Sequence, residues 1–236
     1  MTITDPTVLT GLEPVTFDLY RDVHKGIRGE LFALTVAAGS LDPGDRAGRA
    51  DFARHVGDVV GLLHMHAAKE DAVVQPALEQ HALALAEKIA ADHAALEARI
   101  AAIDTLADES VNAQASDTRR RVHEVYIELA SFTGVYLAHQ DVEERVVMPT
   151  LERALGVEAV IGMHAAIVGS IPPDELVKAL ALMLPAMNVD DRAELLGGMQ
   201  QNAPAPVFQG VWSLARSVLT ASDVAAVAAR LGVSAN

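Results

Sequence analysis

The chain of 236 residues sets 18 Lys and Arg against 32 Asp and Glu, a formal charge of −14. That balance disfavours nucleic acid and anionic membrane surfaces as partners. Cysteine is absent, which excludes disulfides, iron–sulfur clusters and any thiolate metal site, so a metal here must be held by nitrogen and oxygen.

Hydrophobic residues make up 51% of the chain and aromatics only 4%. Helix formers dominate and strand formers are scarce, so an all-α protein is expected. The opening MTITDPTVLTGLEP has neither a basic start nor an apolar core, and no secretory signal is expected. Apolar stretches such as LVKALALMLPAM are too short and interrupted to span a bilayer, which points to a cytoplasmic location.

After Pro14, the residues Tyr20, Val23, His24, Ile27, Leu31 and Leu34 recur at helical spacing and predict a first helix over roughly 17–38. Gly39, Pro43 and Gly44 end it. A second helix starts near Asp45 and carries Phe52, Val56, Val59, Leu62, Leu63, His66, Glu70 and Val73 on one side, with Pro76 bending or ending it. The third, roughly 82–106, has Leu85, Ile89, His93, Leu96, Ile100 and Ile103 as its seam. A polar stretch from Ala107 to Ser116 leads to the fourth, capped by Ser116 or Asp117. That helix buries Val122, Val125, Leu129, Phe132, Tyr136, His139, Val142, Glu143 and Val146, with Pro149 near its end. Four amphipathic segments with short links predict an antiparallel up-and-down four-helix bundle over residues 1–155.

From Gly156 onward the chain is apolar and bears several Met residues, too apolar for a disordered tail. Residues 156–236 read as a C-terminal extension of short helices, packed on the bundle or forming a homodimer surface. Asn188 suits a helix cap, Gly197-Gly198 a stop, and Ser222 the cap of a last helix.

Three HxxxE pairs, His66/Glu70, His93/Glu97 and His139/Glu143, fall on these helices, with His24 alone upstream. The i,i+4 spacing stacks each imidazole above its carboxylate on one face. Four histidines sit on apolar stripes, where an unpartnered polar group costs several kcal/mol, roughly, so a shared metal is the economical explanation. His24, His66, Glu70, His93, Glu97, His139 and Glu143 are too many ligands for one ion and adequate for two, of iron, manganese, zinc or copper. No catalytic residue beyond these ligands is expected. His64 points away from His66, His123 lies opposite His139, His81 falls in a loop, and His164 is a possible outer partner. His55 is about 16 Å from His66 by helix rise. Tyr20 and Tyr136 lie near ligand histidines by spacing and serve as core by default.

With His24 in DVHKGIRGEL, HAAKE at 66–70, HAALE at 93–97 and HQDVEERVVMP at 139–149, the chain resembles hemerythrin and the hemerythrin-like HHE proteins over roughly residues 15–155. The resemblance implies an oxo- or hydroxo-bridged non-haem di-iron centre, with manganese or zinc as alternatives. It implies that His24 and His66 bind one iron, that His93 and His139 bind the other, and that Glu70 and Glu143 bridge them. Two departures stand out. Oxygen-carrying hemerythrins have a second histidine where this chain has Glu97, and an Asp five residues after the last histidine, where this chain has Glu144. Ligation by Glu97 shifts the expectation from oxygen carriage to an oxidoreductase of the catalase or peroxidase kind, acting on peroxide, dioxygen or nitric oxide. The alternative is oxygen or nitric oxide binding, sensing or iron handling without turnover.

Overall fold

The computed structural model describes residues 12–235; the reading of the opening MTITDPTVLTG lies outside them. Among the described residues all regular structure is helical, and no helix is long and apolar enough to cross a membrane. Two compact units are present. The first takes residues up to Arg21 with Leu34–Gly169, and the second takes Asp22–Ala33 with the residues from Ser170 onward. The division expected at 155/156 therefore falls elsewhere, because helix α7 (Val157–Gly169) buries Val160 among Leu78, Met148 and Leu151 of the first unit.

Helix α1 (Arg21–Ser40) starts where the Asp18 carboxylate accepts the Tyr20 and Arg21 backbone N–H groups at 2.9 and 3.2 Å. Its end lies in the first unit, where Thr35 and Thr133 hydroxyls meet at 3.1 Å and Gly39 faces the Tyr126 ring. Helix α2 (Arg46–Val73) is capped by Asp45, whose side chain accepts from Gly48 N–H at 3.0 Å. Pro76 does not continue it but sits in the first turn of α3 (Gln75–His81), where a missing N–H costs nothing.

Helix α4 runs Leu83–Asn112, beyond the expected 106. The apolar seam continues at the same spacing through Ala107 and Ser110, and Ser110 is sealed in: its hydroxyl donates to the Ala107 carbonyl, and its own carbonyl accepts Arg49 Nε at 2.8 Å. Helix α5 (Thr118–Val142) follows; Asp117 occupies the cap position without a side-chain cap bond. It passes into a π-helical turn, Glu143–Val147, and then α6 (Met148–Leu155), which Gly156 ends at φ +83°.

Neighbouring helices run antiparallel. Arg49 near the start of α2 meets Ser110 near the end of α4, while Asp71 near the end of α2 meets His93. Between α4 and α5, Glu109 pairs with Arg121 at 3.0 Å and Arg99 bonds Ser131 at 3.0 Å.

The second unit gathers Leu180, Leu184, Leu196, Phe208, Trp212 and Val227 into its own core. Helices α8 (Pro173–Ala186), α9 (Val189–Asn202), α10 (Ala205–Val218) and α11 (Ala221–Leu231) build it. Asn188 caps α9 through the Asp190 and Asp191 N–H groups, both at 2.9 Å. Gly197-Gly198 does not stop α9, and Thr220 rather than Ser222 caps α11. Buried Arg192 donates to the Leu184 and Pro185 carbonyls at 2.7 and 3.1 Å and pairs with Asp223 at 3.3 Å, tying α8, α9 and α11 together. The Asp22–Ala33 stretch of α1 joins this unit through Lys25, paired with Asp191, and through Gly26, which lies against Met183.

Candidate metal centre

The buried positions of α2, α4 and α5 advance in alternating steps of three and four residues, and those steps decide which HxxxE pairs face inward. On α2 the seam passes from His66 to Glu70, and on α5 from His139 to Glu143, both four-residue steps. After His93 on α4 it takes a three-residue step to Leu96 and then reaches Ile100. Glu97 is left outside and exposed, so the expectation that it joins the ligands is corrected.

Glu70, His93, His139 and Glu143 converge: one ligand atom of each lies within 4.8 Å of the others, and all four are buried. Glu70 stands between two histidines, with Oε1 3.4 Å from His66 Nε2 and Oε2 3.4 Å from His93 Nε2. Glu143 Oε1 lies 3.0 Å from His139 Nε2 and 3.7 Å from His93 Nε2. The rings of His93 and His139 meet edge to face at 4.9 Å. His24 is fully buried on the α1 stretch that belongs to the second unit.

Electrostatics favour a cation at this place. Burial alone lowers the pKa of His93, but Glu143, Glu70 and Asp71 overcome it and raise it to about 11. The metal-free chain thus recruits a proton to balance its buried carboxylates. His93 Nε2 is sealed from solvent and makes no well-formed hydrogen bond, although carboxylate oxygens surround it. Imidazole nitrogens and carboxylate oxygens without sulfur form a donor set suited to iron, manganese or zinc. The residues present therefore fit a metal.

Tyr20 and Tyr136 are both buried. Burial first, then the Glu70 and Glu143 charges, push both phenols well above their ordinary range, so they stay protonated. Tyr136 also touches the His139 ring at 5.9 Å.

Other histidines stand apart from the convergent group. His64 and His123 are exposed, His81 ends α3 instead of lying in a loop, and His164 meets the Phe17 ring at 5.3 Å. Two residues with a place at the site were not foreseen. Asp71 Oδ1 lies 2.7 Å from His93 Nδ1, and Asp92 Oδ2 lies 3.6 Å from His139 Nδ1. Their signal in the sequence is adjacency, since Asp71 follows Glu70 and Asp92 precedes His93. A cleft between α4 and α5, lined by Asp92, Leu96, Arg99, Val135 and Ala138, reaches His139.

The sequence profile of the hemerythrin HHE cation-binding domain matches residues 15–151. The chain belongs to the hemerythrin HHE family. Neither the curated proteins nor the solved structures gave a match. The match spans α2 to α5 and so includes every residue of the convergent group.

Proposed function

We propose that this hemerythrin-like protein is an up-and-down four-helix bundle holding a non-haem di-iron centre that reacts with a small oxidant, peroxide by dismutation. The observation that carries the reading is the stance of Glu70, whose two oxygens face histidines on two different helices at 3.4 Å each. A carboxylate so placed suits two cations, because one anion then lowers the repulsion between both. His24 and His66 would hold one iron, His93 and His139 the other, with Glu70 and Glu143 across the pair.

When bound, an iron pair supplies the two electrons that one peroxide takes up and a second returns, so that two peroxides leave as two waters and one dioxygen. The chain's own part is to hold the site buried, to neutralise it with two carboxylates, and to keep the Tyr20 and Tyr136 phenols protonated beside it. The cleft ending at His139 gives a small solute a path from solvent.

Exposure of Glu97 removes one anionic ligand from the expected set and with it the argument that set turnover above binding. That observation favours a second reading, reversible binding of dioxygen or nitric oxide at a position left open. Iron analysis with absorption spectra, taken before and after dithionite and then peroxide, tests both. Oxygen release from peroxide that is abolished in His66→Ala supports dismutation. Reversible oxygenation of the reduced protein, without peroxide consumption, supports binding. Two zinc ions and no spectral response to oxidants would overturn the iron readings.

A further inference from the structure

His93 and His139 share an orientation: each turns Nε2 toward the carboxylates within and Nδ1 toward a carboxylate on a neighbouring helix. Asp71, on α2, accepts from His93 of α4 at 2.7 Å. Asp92, on α4, lies 3.6 Å from His139 of α5 and is also bonded to Lys88 at 2.5 Å. A neutral imidazole has one N–H and one lone pair, and an ionised carboxylate can only accept. The proton of His93 therefore belongs on Nδ1, which leaves the Nε2 lone pair facing Glu70 and Glu143.

We propose that Asp71 is a positioning residue that fixes the tautomer and ring orientation of His93 for metal binding, with Asp92 a weaker counterpart at His139. The proposal rests on the metal-site reading above. The competing explanation is an ordinary surface ion pair, worth about 0–1 kcal/mol and without consequence for metal. Geometry argues against it. Asp71 reaches from one helix to the single outward nitrogen of a buried ring on another, at the short distance of a charge-assisted bond. Its own side chain is 54% exposed, so its removal opens no cavity and strands no buried carboxylate.

The test uses the full chain and cobalt(II), whose visible bands report its ligands, in competition with a chelator. Loss of such an outer partner weakens metal affinity by about 10–100-fold. Asp71→Ala is expected to fall in that range, with Asp71→Asn between it and the unaltered chain, because the amide carbonyl accepts the same bond without the charge. Asp92→Ala should lose less, given the longer distance and the competing Lys88. Glu97→Ala removes an equal charge from the exposed side of α4 and should leave the affinity unchanged. Metal-free thermal unfolding of Asp71→Ala should match the unaltered chain, which separates positioning from folding. If the unaltered chain binds cobalt and Asp71→Ala binds it equally well with the same bands, the role of Asp71 is overturned. An unaltered chain that takes up no cobalt overturns the metal reading instead.

Discussion

At Glu143 metal binding and fold stability pull in opposite directions, and Glu143→Gln separates them. The Glu143 carboxylate is 1% exposed, and its ligand atom lies within 4.8 Å of that of Glu70. At an effective dielectric near 20, repulsion across 4.8 Å is about 3.5 kcal/mol. His93, with its pKa raised to about 11, is imidazolium at neutral pH, and at 3.7 Å it returns about 4.5 kcal/mol. The two nearly cancel, so the cost of taking the carboxylate out of water, roughly several kcal/mol, remains uncovered. Glutamine keeps the shape, and its amide can donate to His139 Nε2, which lies 3.0 Å from Glu143 Oε1. The metal-free variant should gain about 1–3 kcal/mol, or on the order of 5 °C for a chain of this size. With ferrous iron at a hundredfold excess over its dissociation constant, the unaltered chain should gain about 2.7 kcal/mol and the variant little. Anaerobic thermal melts with and without ferrous iron read both quantities. A metal-free variant less stable than the unaltered chain, or one that gains equally from iron, would refute the reasoning.

Three further outcomes follow from the same geometry. Glu97→Ala should keep the iron content and absorption spectrum of the unaltered chain, because its side chain is exposed; loss of an iron would show that α4 turns inward on metal binding. The stabilisation carried by protonated His93 is complete below the unfolded pKa near 6.5 and is lost as pH rises through about 11. Denaturant midpoints of the metal-free chain should therefore fall from neutral to alkaline pH, and more steeply than in His93→Gln. Gly26→Ala would place a methyl 2.8 Å from Met183 Cγ and 3.0 Å from its Cα. The crowding should cost about 1–3 kcal/mol, more than the roughly 1 kcal/mol that alanine returns in helix propensity. A denaturant midpoint at or above that of the unaltered chain would count against this close approach.

Much of the site was legible because burial and ligation place the same demand on spacing. A histidine followed four residues later by glutamate, on a stripe of Val, Leu and Ile, has nowhere to point but inward if the seam also takes a four-residue step there. His66/Glu70 and His139/Glu143 meet that condition. His93/Glu97 has the same motif but not the same step, and reading the motif without the seam gave Glu97 a place it does not hold. Asp71 and Asp92 escaped for a different reason. Their role depends on which neighbouring helix each faces, and helical spacing within one segment carries no information about a neighbour.

The passage from α5 to α6 shows a third kind of limit. Spacing alone puts Val146 on the buried side, whereas Val147 and Met148 are the buried residues and Val146 is half-buried. The cause lies downstream, at Pro149. It has no N–H to give to the preceding turn and its ring crowds the carbonyl four residues back, so a regular helix cannot pass through it unchanged. The turn widens instead, with Met148 N–H donating to the Glu143 carbonyl five residues back. One residue is absorbed, and every later side chain rotates to the next position. The π-helical turn opens at Glu143, so Glu143 keeps the inward stance set by α5 while Glu144 is left half-buried beside it. Such turns recur at functional sites because they let a helix hold one ligand in register and still repack beyond it. Here the widened turn makes a four-residue His–Glu spacing sufficient, with Glu143 and not Glu144 in the convergent group.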